Sequence, residues 1–169
     1  MDCLEAIFTR RSIRKFTTEP VSEKALEILL GAAMSSPTAR NRQTWRFLVV
    51  NDRKILDEIP SIHQYAGMTR EAPLAIIVCG DSSDSDVVFW PQDAAAAIQT
   101  MMLAARALDL GSVWCGIYPR QDRVDAFRSK FALPDAIQPL GMVVIGHPAQ
   151  PFTREDRYDP AKIKYNHWS

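Results

Sequence analysis

Residues 90–109 constrain the fold more than any other stretch of the sequence. Ala94 to Ala97, Ile98, Met101 to Ala105 and Leu108 cover a predicted helix with apolar side chains almost all the way round. A helix without a broad polar face is buried on most sides. In a chain of 169 residues there is one core to bury it in, so packing against a second copy is expected as well. Gly111 is expected to stop the helix.

The rest of the chain falls into short elements around it. Cys3, Leu4, Ile7 and Phe8 have helical spacing and predict an amphipathic helix over residues 2–10. Ser22 is a good N-cap for a second helix, with Val21 placed to staple onto Leu26. Leu26, Ile28, Leu29, Leu30 and Ala33 then make a broad buried face. Residues 35–44 have no apolar period and read as a polar loop. Residues 53–65 look helical up to Pro60, which interrupts or ends the pattern, and Val124 to Phe131 is a further helix. Trp45–Val50, Leu74–Cys79, Val113–Ile117 and Leu140–Ile145 are strand-like apolar runs. The Leu74–Cys79 run has the composition of a strand covered on both faces. Four strands among about five helices predict an α+β or α/β sandwich forming one domain over residues 1–169. The tail beyond Gly146 is polar and proline-containing and ends on Tyr165 and Trp168, which suits contact with a partner subunit.

Charge excludes several classes of function. Lys plus Arg and Asp plus Glu balance at 20 each, so no global field favours nucleic acid or an acidic membrane surface. The balance is uneven, however: residues 71–118 hold only Arg106 against six acids, so an anion site must draw on the two ends. No run approaches the roughly 18 apolar residues of a membrane span. The start, Met-Asp-Cys-Leu-Glu, is unlike a signal peptide. Three distant cysteines argue against a disulfide framework and predict a cytoplasmic location. His63, His147 and His167 lack ligand neighbours at metal spacing, and no nucleophile elbow, P-loop or Gly-x-Gly-x-x-Gly occurs. Asp81, Asp84 and Asp86 fail the calcium-loop spacing and read as a solvated loop. Any reaction here therefore draws its chemistry from a bound organic cofactor.

Two segments bear on that cofactor. Arg10-Arg11-Ser12-Ile13-Arg14 packs three guanidiniums and a hydroxyl into five residues. It fits either a phosphate site or a solvated cluster drawn to the negative end of the preceding helix. Pro37-Thr38-Ala39-Arg40-Asn41-Arg42-Gln43-Thr44-Trp45 is rich in donors and acceptors, as an ordinary connection or as a loop reading a heterocycle edge. The ordered pair, together with Gln92-Asp93-Ala94-Ala95-Ala96, Val113-Trp114-Cys115-Gly116-Ile117, Gly146-His147-Pro148 and the tail from Arg157 to Trp168, resembles the nitroreductase family.

That resemblance implies a nitroreductase-like α+β sandwich with a mixed or antiparallel central sheet flanked by helices. The long helix would lie at a homodimer interface, with exchanged C-terminal tails and FMN between the subunits. Arg10 and Ser12 would bind the FMN phosphate or ribityl chain, Arg11 would lie near the ribityl and pyrimidine side, and Arg157 would complete the phosphate site. Arg14 would approach the flavin N1/O2 edge. Pro37, Thr38, Ala39 and Asn41 would reach the ring from the other subunit, with Gln43 orienting their loop. Cys115 and Gly116 would bring backbone near N5, and Tyr65 would meet the pyrimidine ring. The implied activity is NAD(P)H oxidation coupled to reduction of nitroaromatics, quinones or similar small acceptors by ping-pong hydride transfer. Dehalogenation, ene reduction and a non-catalytic flavin-binding module are the alternatives. Three positions depart from the family pattern: Thr44 stands where a Pro is common, Cys115 where some relatives have Glu, and Glu155 where some have Lys. Cys115 reads as packing or as a thiol nucleophile without a base. Segments 60–70 and 81–92 are expected to cover the flavin.

Overall fold

The strand-like runs pair into one antiparallel sheet in the order β1-β2-β4-β3. The strands are β1 (Trp45–Val50), β2 (Leu74–Asp81), β3 (Gly111–Gly116) and β4 (Ile137–Gly146). These come from a computed structural model, which describes residues 1–83 and 88–168. Residues 84–87, with Asp84 and Asp86, lie outside the described residues.

The central strands read as continuous apolar runs because both of their faces are covered. Alternate residues serve opposite layers, as the two-residue period requires. Ala75, Ile77 and Cys79 of β2, with Met142 and Val144 of β4, enter one core. Ile76, Val78, Val143 and Ile145 enter the other. Helices α3 (Arg53–Ile62) and α5 (Gln121–Lys130) close the first core through Leu56, Ile59, Val124 and Phe127. Helices α2 (Glu23–Met34) and α4 (Trp90–Ala107) close the second through Leu29, Ala33, Ala97, Ile98 and Met101. Each fully buried aliphatic side chain contributes roughly 1.5–3 kcal/mol. The result is an α+β sandwich with its sheet in the middle.

Local signals set several helix starts. Asp2 caps α1 (Cys3–Thr9) by accepting from Leu4 N at 2.7 Å. Ser22 caps α2 by accepting from Ala25 N at 3.2 Å. Asp52 caps α3 from Lys54 N at 2.8 Å.

Several expectations need correction. Helix α3 runs through Pro60 to Ile62; the proline sits in the last turn, where one backbone bond is lost and His63 N still donates to Ile59 O at 3.0 Å. Ile28 is exposed, because α2 packs through Leu29 and Ala33 and leaves its flank outside. In α1, Ala6 and Thr9 face inward while Leu4, Ile7 and Phe8 face out. Helix α4 accords with its expected burial: Ala94, Ala97, Ile98, Met101, Met102 and Ala105 are buried, and Ala95, Ala96, Leu103 and Ala104 are half-buried. Its stop is not Gly111 but Asp109, which takes the left-handed φ of 56° and pairs with Arg106 at 2.7 Å. Gly111 instead opens β3 beneath Ile13, where an added Cβ would stand 2.7 Å from Ile13 Cγ2. Among the described residues, no helix is long and apolar enough to cross a membrane.

Replacing Gly111 by Ala therefore overpacks the contact with Ile13. We expect a loss of about 1–3 kcal/mol in urea-induced unfolding, measured against Gly31→Ala in α2, where a Cβ meets nothing within 4 Å.

Candidate functional site

The basic segment is held in place by backbone pairing. Ser12 forms a parallel bridge with Ser112, and Ile13 N donates to Ser112 O at 3.0 Å. Phe16 bridges Pro148, Thr17 N donates to His147 O at 2.9 Å, and Ala149 N donates to Lys15 O at 2.9 Å. The segment thus runs between the start of β3 and the root of the tail. Along extended chain, side chains alternate: Ile13 is fully buried while Arg14 is exposed. Gln150 locks the register, its Oε1 accepting from Arg14 N at 3.0 Å and Lys15 N at 3.1 Å.

The tail then folds back over its own chain. Phe152 lies under the Arg106 guanidinium at 4.0 Å, and Arg154 pairs with Glu5 at 2.9 Å beside the Phe8 ring. This path delivers Arg157 to Arg10 and Arg11. The Arg10 guanidinium is held below its ordinary pKa by burial first, then by the charges of Arg11 and Arg157. Arg11 donates to Arg10 O at 2.6 Å and Phe8 O at 2.7 Å, while its buried Nε has no hydrogen-bond partner. Glu155 accepts from Arg157 Nε at 2.7 Å and lies 3.8 Å from Arg11 Nε. Its carboxyl is held below the usual range, chiefly by the Arg157 hydrogen bond. Three cations and one carboxylate leave this corner with two positive charges in excess. That matches a phosphate monoester, which carries about −1.5 to −2 near neutral pH. The tail through Arg157 thus docks on its own chain, while Tyr158, Tyr165 and Trp168 stand exposed.

Beyond Arg14 opens a cleft of about 450 Å³, lined among others by Arg14, His63, Tyr65, Cys115, Gly116 and Arg123. A Cβ on Gly116 would meet nothing within 4 Å, so a flat ring can approach that backbone closely. The Gly116 carbonyl accepts from Arg123 at 2.8 Å and from His63 Nε2 at 3.0 Å. Burial pushes the Cys115 thiol up to about 11, against the opposing pull of Arg14 and Arg123. A thiol so protonated is packing rather than a nucleophile.

The polar loop is mounted elsewhere. Ala39 N donates to Asp93 Oδ1 of α4 at 3.0 Å, and Ser36 donates to Thr100 at 2.8 Å. Thr38 Oγ1 accepts from Gln43 N, and Gln43 Nε2 donates to Asn41 Oδ1, both at 3.0 Å. Arg40, Asn41 and Gln43 hold φ values of 53°, 53° and 51°, a left-handed region that side chains seldom adopt. Pro37 to Gln43 do not line the cleft of their own chain.

Arg10, Arg11 and Arg157 therefore meet in one corner, and Arg14, Tyr65, Cys115 and Gly116 in an adjoining cleft. Ser12 lies on the segment joining them. Sequence reasoning missed Arg123 and the part played by His63, whose common partner Gly116 is 53 residues from His63. It also passed over Asp93, for which a signal existed. A lone acid inside an all-apolar helix must find a donor.

The arrangement defines a class: an α+β domain with a cationic corner beside an open cleft. Residues 7–64 and 62–147 match the nitroreductase family profile. A Methanothermobacter thermautotrophicus protein, provisionally named NADH dehydrogenase/NAD(P)H nitroreductase, is 44% identical over 99% of this chain and 88% of its own. A Parabacteroides distasonis structure with the same provisional name superposes with a TM-score of 0.94 at 38% identity, covering 98% of each chain. A provisionally named nitroreductase of Desulfovibrio desulfuricans, solved in complex with FMN, gives a TM-score of 0.83 at 32% identity, covering 100% of this chain and 99% of that one. The chain belongs to the nitroreductase family.

Two outcomes test the geometry. Asp93→Ala removes the acceptor of Ala39 N–H, so we expect faster amide exchange at Ala39 and a loss of about 1–3 kcal/mol. For Cys115, burial raises the thiol from 9.0 to about 11. Folding then favours the protonated form, and its stability contribution is lost as pH rises from about 9 to 11. Cys115→Ser should flatten part of that decline in urea titrations, the share of Cys79 remaining.

Proposed function

We propose that this chain is an FMN-dependent NAD(P)H oxidoreductase that reduces small oxidised acceptors such as nitroaromatics or quinones. The observation that carries the reading is the continuity of Arg10–Arg14. One docked segment links a corner with two excess positive charges to a cleft bordered by Arg14 and the open face of Gly116. An FMN has the matching pair of ends, a phosphate at one and a planar ring at the other.

The residues present fit FMN. Arg10, Arg11 and Arg157 would hold its phosphate, and the unpartnered buried Nε of Arg11 is a donor awaiting an acceptor. Ser12 would add a hydroxyl along the way. Arg14 would stand at the ring edge, where a fixed cation stabilises developing negative charge. FMN supplies the two-electron hydride chemistry when bound. The protein contributes placement: His63 and Arg123 fix the Gly116 carbonyl, and the protonated Cys115 thiol keeps a negative charge away from the ring. No side chain of the cleft is needed as a dedicated acid or base, since solvent can provide protons.

The second half of the site belongs to a partner copy. The exposed Leu4, Ile7 and Phe8 of α1, the half-buried side of α4 and the exposed Tyr165 and Trp168 supply apolar surface for a homodimer. In that dimer the loop Pro37–Gln43 of one subunit covers the ring in the other, which accounts for its absence from its own cleft.

Purified protein should be yellow, retain FMN and oxidise NADH or NADPH when a nitroaromatic or quinone is supplied. Arg10→Ala should weaken FMN binding at least about tenfold, the scale of one charged hydrogen bond. Colourless protein that neither takes up FMN nor oxidises NAD(P)H would refute the proposal; FMN uptake without reduction would leave a binding module.

A further inference from the structure

The cleft holds a second cation that the cofactor does not claim. Arg123, in the first turn of α5, reaches into the cleft that Arg14 also lines. One of its nitrogens donates to Gly116 O at 2.8 Å, and its guanidinium lies 5.5 Å from the Tyr65 ring centroid. The side chain is therefore anchored, with the rest of its five-donor fork still available. Arg120 and Arg128, near either end of the same helix, hold Asp122 and Asp135. Among the described residues, Arg123 has no carboxylate partner. None of the described residues lining the cleft is Asp or Glu. The nearby thiol adds no negative charge either, since Cys115 stays protonated. Tyr65, 65% exposed, lays a flat aromatic surface beside the guanidinium.

Resting on the oxidoreductase reading above, we propose that Arg123 is a specificity-determining residue that selects aromatic acceptors carrying a carboxylate. The ring would pack along Tyr65 and the carboxylate would take the free donors of Arg123, a geometry suited to two parallel charge-assisted hydrogen bonds. Arg14 is committed to the cofactor edge, so the preference depends on Arg123.

Benzoate and benzamide, equal in shape and different in charge, separate this role from general ring binding. Each is titrated into the FMN-loaded protein while the absorbance of the bound flavin is followed, with calorimetry as a second measure. Benzoate should bind roughly tenfold more tightly, and the ratio should shrink as salt screens this partly exposed site. Arg123→Gln should bring the ratio near one, whereas Arg123→Lys should keep part of it. His63 still satisfies the Gly116 carbonyl in both variants. Equal affinities in the unmodified protein, failure of benzoate to bind, or a ratio that survives in Arg123→Gln would each overturn the proposal. So would a rise in KM for NADH or NADPH in Arg123→Gln with the benzoate preference intact, because the arginine would then serve the dinucleotide. NAD(P)H oxidation with a neutral quinone, run on the same preparation, keeps the readings apart. Its absence defeats the oxidoreductase assignment, while its presence beside equal ligand affinities defeats only the role of Arg123.

Discussion

The placement of Ile13 over Gly111 is the contact on which the candidate site depends. Ile13 is fully buried, and it can be so only because the residue beneath it has no side chain. That close approach lets Ser12 bridge Ser112 and draws five residues of basic sequence along the start of β3. Without it Arg10 and Arg14 would share no surface, and the tail would lose the edge against which Phe16 and Gln150 pin it. A packing contact in the core therefore fixes an electrostatic arrangement at the rim.

Electrostatics then divides the work between two neighbourhoods. In the corner, repulsion among Arg10, Arg11 and Arg157 is accepted because packing and hydrogen bonds to the end of α1 hold them together. Glu155 offsets one of the three charges. The corner thus keeps two positive charges in excess rather than three. In the cleft, Gln150 holds the backbone of Arg14 and the Gly116 carbonyl anchors the side chain of Arg123.

Much of the fold was legible because two-sided burial writes itself into composition. The runs at residues 74–79 and 140–145 read as strands since both of their faces meet apolar neighbours, and β1 was readable to the residue. The caps Ser22 and the polar loop were equally plain. What failed did so for physical reasons. The apolar stripe of α1 resembles a core stripe, yet it faces outward. Gly111 resembles a helix stop, but its lack of a side chain serves a contact from 98 residues earlier in the chain, with Asp109 turning the helix instead. The basic segment was visible as charge, while its meeting with Arg157 required the path of the tail. Arg123 carried no local signal, because its meaning lies in Gly116 and Tyr65, which other elements supply.

Asp93 ties the polar loop to α4, as Arg46 of β1 ties its far end by donating to Gln43 O at 3.1 Å. The tether ends on a backbone N–H at Ala39 and on no side chain. The loop's position is thus fixed in part by a carboxylate 54 residues away, through a group that every residue type but proline supplies. A substitution at position 39 leaves that tether in place, provided an acceptor persists in the first turn of α4. Backbone position and side-chain chemistry are then set by different groups of the same short segment.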